Sequence, residues 1–153
     1  MTNIPDKYEL IALLPHKYPI LMVDQVIDIS PKFSITKNTI KAHNPFIHEN
    51  FLAESAHIEL MAQTTATIIL YCHYKDNPIL LKEFRESGNT KILPGYLVTL
   101  KDFTVHSTLT VEDEIIVTST KTYEIEDYYS FDCEIKKGNE LITKGEIAIY
   151  AIP

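Results

Sequence analysis

A chain of 153 residues, 45% hydrophobic and 23% charged, can bury one ordinary core with little room for a second, so a single domain over residues 1–153 is expected. The formal charge of -7 and the absence of a basic tract argue against a nucleic-acid partner, and no apolar run reaches the ~20 residues that would span a bilayer. Cys72 and Cys133 stand far apart with no C-x-x-C pair, and Asp6 and Glu9 lie where a signal peptide would need a basic head, so a reduced, cytoplasmic protein without membrane association is expected.

In chain order, Pro5 and Asp6 can open a short helix over "KYELIALLP", which Pro15 ends by removing a donor and crowding the preceding turn. "PILMVDQVIDIS" and "FSITKNTIKAHN" are rich in Ile and Val and partly alternate apolar with polar, which predicts two strands turning at Ser30-Pro31-Lys32. "FLAESAHIELMAQTTATIILY", residues 51–71, reads as one long helix. A polar connector follows, "YKDNPILLKEFRESGNTK", with an amphipathic patch at Ile79-Leu80-Leu81 and Phe84 that Gly88-Asn89 can stop. The second half is β throughout: "ILPGYLVTLKDFTVHSTL", "EIIVTSTKTYEIED", "YYSFDCEIKK" and "ELITKGEIAIYAI", with the last hairpin at Gly138-Asn139. A hairpin, one long helix and then a meander of strands predict an α+β fold, a curved antiparallel sheet wrapped around a central helix. Such a helix is covered on most sides, which accounts for its being apolar nearly all round.

That helix nevertheless carries Glu59, with Gln63 one turn on along the same face. A buried carboxylate must be neutralised or hydrogen-bonded, and burial moves it toward the range of a proton donor. Alternatively, Glu59 sits near the amino end of the helix, where the dipole favours a negative side chain. The residues alone leave both readings open, and Gln63 fits a supporting role.

"LLPHKYPILMVDQVIDI" at 13–29, "NPFIHENF" at 44–51 and "IELMAQTTA" at 58–66 together resemble the β-hydroxyacyl-acyl-carrier-protein dehydratase family of hotdog-fold enzymes. "GYLVTLKDFTVH" at 95–106 is similar to the divergent branch found in aryl-polyene pathways. The resemblance implies a hotdog fold whose subunits pair, as a homodimer or with another hotdog subunit, to form the active sites. It implies loss of water from a 3-hydroxyacyl thioester, giving the trans-2-enoyl product. The substrate would ride on the phosphopantetheine of acyl carrier protein, with no cofactor or metal held by the enzyme. Glu59 matches the family's glutamate acting on the leaving oxygen.

The family's histidine lies in an H-F-P-G stretch ahead of that helix, in a longer proline-glycine loop. Aligning "NPFI" without a gap puts Asn50 at its position; an earlier gap puts His48 there, and His48 is the expected base. His57 would point roughly 200 degrees away from Glu59 on the helix, and His16 reads as a structural hydrogen-bonder. The oxyanion donors are expected among the backbone amides near Ala53 to Ala56. Gly95 and Tyr96, together with Phe103, are expected to line the acyl tunnel. Lys82, Arg85, Lys91 and Lys101 are expected to dock the acidic carrier. The shortened loop keeps a second reading open, a non-catalytic or half-catalytic hotdog subunit that binds acyl carrier protein or completes its site with a catalytic paralogue.

Overall fold

The computed structural model describes residues 2–91 and 93–152. Its elements follow the predicted order. Helix α1 (Lys7–Leu13) is opened by a reciprocal cap: the Asp6 carboxylate accepts from the Tyr8 and Glu9 amides, each at 2.8 Å, and Glu9 accepts from the Asp6 amide at 2.8 Å. Strands β1 (Gln25–Ile29) and β2 (Phe33–Thr39) form the first hairpin, and a two-residue pair, β3 (Ile47–His48) and β4 (Phe51–Leu52), leads into the long helix. Helix α2 runs Ser55–Asp76, starting four residues later and ending five residues later than the sequence reading, because Phe51–Leu52 is taken up in strand pairing. Helix α3 (Pro78–Ser87) begins with proline, which needs no intrahelical donor there, and ends at Gly88 in the left-handed conformation.

Strands β5 (Gly95–Val105), β6 (Glu114–Ile125), β7 (Tyr128–Lys137) and β8 (Glu140–Ala151) complete a six-stranded antiparallel sheet of order β1-β2-β6-β7-β8-β5. The expected meander holds for β6, β7 and β8 alone. β5 crosses to the far edge and pairs with β8, while β6 pairs with β2. One face of α2, with Leu60, Met61 and Ile68, is buried against this sheet among Val117, Phe131, Ile135 and Ile147. A second face, with Leu70 and Tyr74, packs against α1 and α3 through Leu10, Leu13, Leu14 and Leu81. Two cores sharing one helix explain why its sequence lacks a single apolar stripe.

Three threonines on α2 meet a polar lane on the sheet. Ser34, Thr36 and Asn38 alternate along β2 and are all buried. Thr64 and Thr36 share a hydroxyl hydrogen bond of 2.8 Å, Thr65 and Ser119 one of 2.6 Å, and the Thr67 hydroxyl lies 2.7 Å from that of Ser34. The helix is thereby fixed in rotation and height against the sheet by directional bonds that apolar packing would not supply. Which face of α2 looks outward is set by this lane.

Candidate active site

The third face of α2 is left uncovered by the described residues. Ile58, Glu59, Ala62, Ala66 and Ile69 project from it into a cleft of about 230 Å³, whose opposite wall is Leu93, Gly95, Leu97, Ile149 and Ala151. Pro15 and His16, from the segment after α1, close one end. The two alanines are one turn apart and keep the floor low, so an apolar chain can lie along the helix.

Glu59 is the fifth residue of α2, beyond the first turn where a helix dipole acts strongly. Its side chain keeps 28% of its surface exposed, so it sits at the cleft rim and not in the dry core. Its carboxylate engages side chains: Oε1 lies 3.2 Å from His16 Nε2 and accepts a 2.7 Å hydrogen bond from Gln63 Nε2. Gln63 is buried and its whole amide is used. It also donates to the Ile20 carbonyl at 3.0 Å and accepts from the Met22 amide at 2.8 Å, which ties the segment carrying His16 to the helix carrying Glu59. Lys17 anchors the same segment from the other side, donating to the Ala12 and Leu14 carbonyls at 2.8 and 2.9 Å. His16 Nδ1 is buried without a hydrogen-bond partner among the described residues.

Three of the five residues singled out in the sequence thus meet here: Glu59 and Gly95 line the cleft, and Gln63 braces Glu59 from beneath. A side chain at Gly95 would meet nothing nearer than Ile149 Cγ2 at 3.7 Å, so this position is an open stretch of wall. His48 and Tyr96 are not brought to the cleft within one chain. His48 is exposed on the β3–β4 hairpin, opposite Phe51, and Tyr96 is 58% exposed. Phe103 packs against Gly145 of β8, 3.3 Å from where a Cβ would stand, and serves the core.

The amides of Ala53 and Ala56 are already bonded to the Phe46 and Ala53 carbonyls, at 2.9 and 3.0 Å, so neither is free as the oxyanion donor the sequence suggested. His57 lies on the sheet side of α2, as the helical angle required, with Nδ1 2.6 Å from the Thr143 hydroxyl. The sequence did not place His16 beside Glu59. The available signal was its position after the proline that ends α1, in a segment that Gln63 can reach only if it folds onto α2.

Two kinds of similarity bear on this geometry. The model of the ApeP-like family, described as ApeP dehydratase, matches residues 8–153. The chain belongs to the ApeP-like dehydratase family. Curated relatives are described as 3-hydroxyacyl-[acyl-carrier-protein] dehydratase FabZ. The one from Polynucleobacter necessarius is 38% identical over 69 residues, which cover 41% of this chain and 46% of that enzyme, so the chain spans less than half the length of this relative. The one from Rickettsia bellii is 24% identical over 92% of both chains. Among solved structures, the dehydratase heterocomplex ApeI:P from Xenorhabdus doucetiae matches with a TM-score of 0.74 at 19% identity, covering 94% of this chain and 91% of that one. A thioesterase from Pseudomonas aeruginosa matches with a TM-score of 0.69 at 8% identity over 99% of both. At such identities these structures speak for the fold, which is the hotdog.

Proposed function

We propose that this ApeP-like protein dehydrates a 3-hydroxyacyl thioester carried on acyl carrier protein to the trans-2-enoyl thioester. The observation that carries the reading is the His16–Glu59 contact of 3.2 Å in the wall of an apolar cleft. Dehydration takes a proton from C2, forms the C2–C3 double bond and expels the C3 hydroxyl as water. With the neutral imidazole carrying its proton on Nδ1 and Glu59 protonated on its free carboxyl oxygen, His16 Nε2 can accept the C2 proton while Glu59 gives its own proton to the departing hydroxyl, leaving imidazolium and carboxylate in contact. The pair then holds as many protons as it did before. Gln63 donates to Oε1, which leaves the second carboxyl oxygen to face the substrate. No cofactor enters this scheme, since the activated thioester supplies the acidity at C2.

His48 remains the base of a second reading, in which a hotdog partner presents its hairpin to this cleft. The exposure of His48 and Phe51 on that hairpin supports it, as does the edge of β5 beside the cleft, where Tyr96, Leu97 and Val98 are exposed. The ApeI:P heterocomplex is a precedent for pairing with a different hotdog subunit.

The test is turnover of 3-hydroxyacyl carrier protein by the purified chain, alone and with a candidate hotdog partner. Glu59→Gln and His16→Ala should each lower the chemical step by ~10² to 10⁴ with an unchanged melting temperature, and the two losses should not add. Full activity in His16→Ala with loss in His48→Ala transfers the base to the hairpin. Activity that appears only when the partner is added supports the half-site reading. No dehydration under any of these conditions ends the proposal.

A further inference from the structure

The cleft at Glu59 has a neighbouring cavity behind its far wall. Ile69, Leu93 and Ala151 also line a second chamber of about 220 Å³, farther along α2, whose other walls include Cys72, His73, Lys121, Glu124 and Tyr129. The two chambers differ in chemistry. The first is walled by aliphatic side chains beyond the His16–Glu59 end. In the second, Lys121 pairs with Glu124 and sits 5.7 Å from the centre of the Tyr129 ring. A saturated chain pushed into the second chamber would take water from that ion pair without offering it a partner, which is unfavourable.

We propose that Ile69 is the residue that sets acyl chain length, acting as the partition between the two chambers; this rests on the acyl-thioester reading above. Glu59 and Ile69 are ten residues apart on one helix face, about 15 Å at 1.5 Å per residue. A fully extended chain advances roughly 1.2 Å per bond, so the first chamber holds about a dozen bonds beyond the reacting carbons before the chain meets Ile69. Acyl groups of up to about 15 carbons therefore fit, and longer saturated ones are rejected by the Ile69 side chain and then by the Lys121–Glu124 pair in the chamber behind it. The half-buried position of Ile69, on the groove face and outside the fully buried core, makes substitutions there compatible with folding.

The experiment has two arms, each on the native chain, Ile69→Ala and Ile69→Phe, with the hotdog partner present if turnover requires it. The first measures kcat/KM over 3-hydroxyacyl carrier proteins of increasing length. The second measures binding of unreactive saturated acyl-pantetheine thioesters of the same lengths by calorimetry. In the native protein both should drop by about tenfold or more once the chain exceeds the first chamber. The drop should move to longer chains in Ile69→Ala and to shorter ones in Ile69→Phe. Acyl thioesters that bind with the same length dependence in all three proteins overturn the role of Ile69 and leave the acyl-thioester reading standing. Failure of every thioester to bind at any length overturns both.

Discussion

Among single residues, His57 is a titratable group held out of water. Its side chain is 0% exposed, Nδ1 is bonded to Thr143, and Nε2 is buried with no partner among the described residues. Burial pushes its pKa down from 6.5 to about 4, because a charged ring there would have little to solvate it. The folded state therefore refuses a proton that the unfolded chain accepts below pH 6.5. Stability should fall as pH drops from about 6.5 toward about 4 and level off beneath that, with a total loss of roughly 3 kcal/mol from this group. Urea unfolding between pH 7 and pH 4 measures it, and His57→Gln should flatten that part of the profile. A slope that persists in His57→Gln would mean that other groups dominate acid sensitivity. About half a helical turn keeps the two histidine environments apart: the ring on α2 lies against the sheet, while Glu59, two residues on, faces the groove and a histidine from outside the helix.

At the scale of elements, α2 is placed by polar bonds as much as by packing. Thr65 and Ser119 are both fully buried, and each hydroxyl satisfies the other across the helix–sheet gap. Thr65→Val removes one partner and strands the Ser119 hydroxyl, apart from its longer 3.5 Å contact with Cys133 Sγ, at an expected cost of ~1–3 kcal/mol. Adding Ser119→Ala should recover part of this loss. A double-mutant cycle by denaturant unfolding should return a coupling of ~0.5–3 kcal/mol, and additive losses would show that the pair contributes only by packing. Helix α3 is held in a comparable way. Arg85 Nε lies 2.6 Å from Glu9 Oε1, its terminal nitrogens reach the Thr2 and Ile4 carbonyls at 2.7 and 3.2 Å, and the guanidinium holds the Glu9 carboxyl below its usual range. Arg85 is thus occupied in the fold and is removed from the set of residues expected to meet an acidic carrier. Lys82 faces Glu86 one turn away, a weaker exposed pair.

For the whole molecule, the two edges of the sheet are unlike. At β1 the register shifts between Val26 and Asp28, α1 packs alongside, and Lys7 donates to the Ile27 carbonyl, all features that discourage strand addition. At β5 the strand is long and exposes Tyr96, Leu97, Val98 and Leu100, with Tyr150 and Ile152 nearby. Pairing through β5 would cover this apolar edge and roof the groove over Glu59 at once. Light scattering at micromolar concentration should give twice the chain mass of 17.5 kDa, alone or after addition of a second hotdog subunit, and Val98→Lys should reduce it to the single-chain value. A native chain that remains at the single-chain mass in both cases would rule out this interface.

The sequence by itself determined most of the elements, since periodicity, prolines and glycines act over a few residues: the capped helix at Lys7–Leu13, the turn at Pro31, the αL stop at Gly88 and the four later strands could all be read along the chain, but the short β3–β4 pair could not. It also determined that Glu59 and Gln63 share one face of α2, because 3.6 residues per turn leaves no choice. Tertiary structure decided what lies opposite that face. His16 is 43 residues from Glu59 in the chain, and nothing local draws them together; the link is the Gln63 amide, which bonds Ile20 and Met22 in the segment after α1. The crossing of β5 to the far edge was equally beyond local reading, because alternation marks a strand without naming its neighbour. The same holds for the threonines of α2, which read as interruptions of an apolar helix until β2 and β6 present hydroxyls at matching heights and turn them into its anchor.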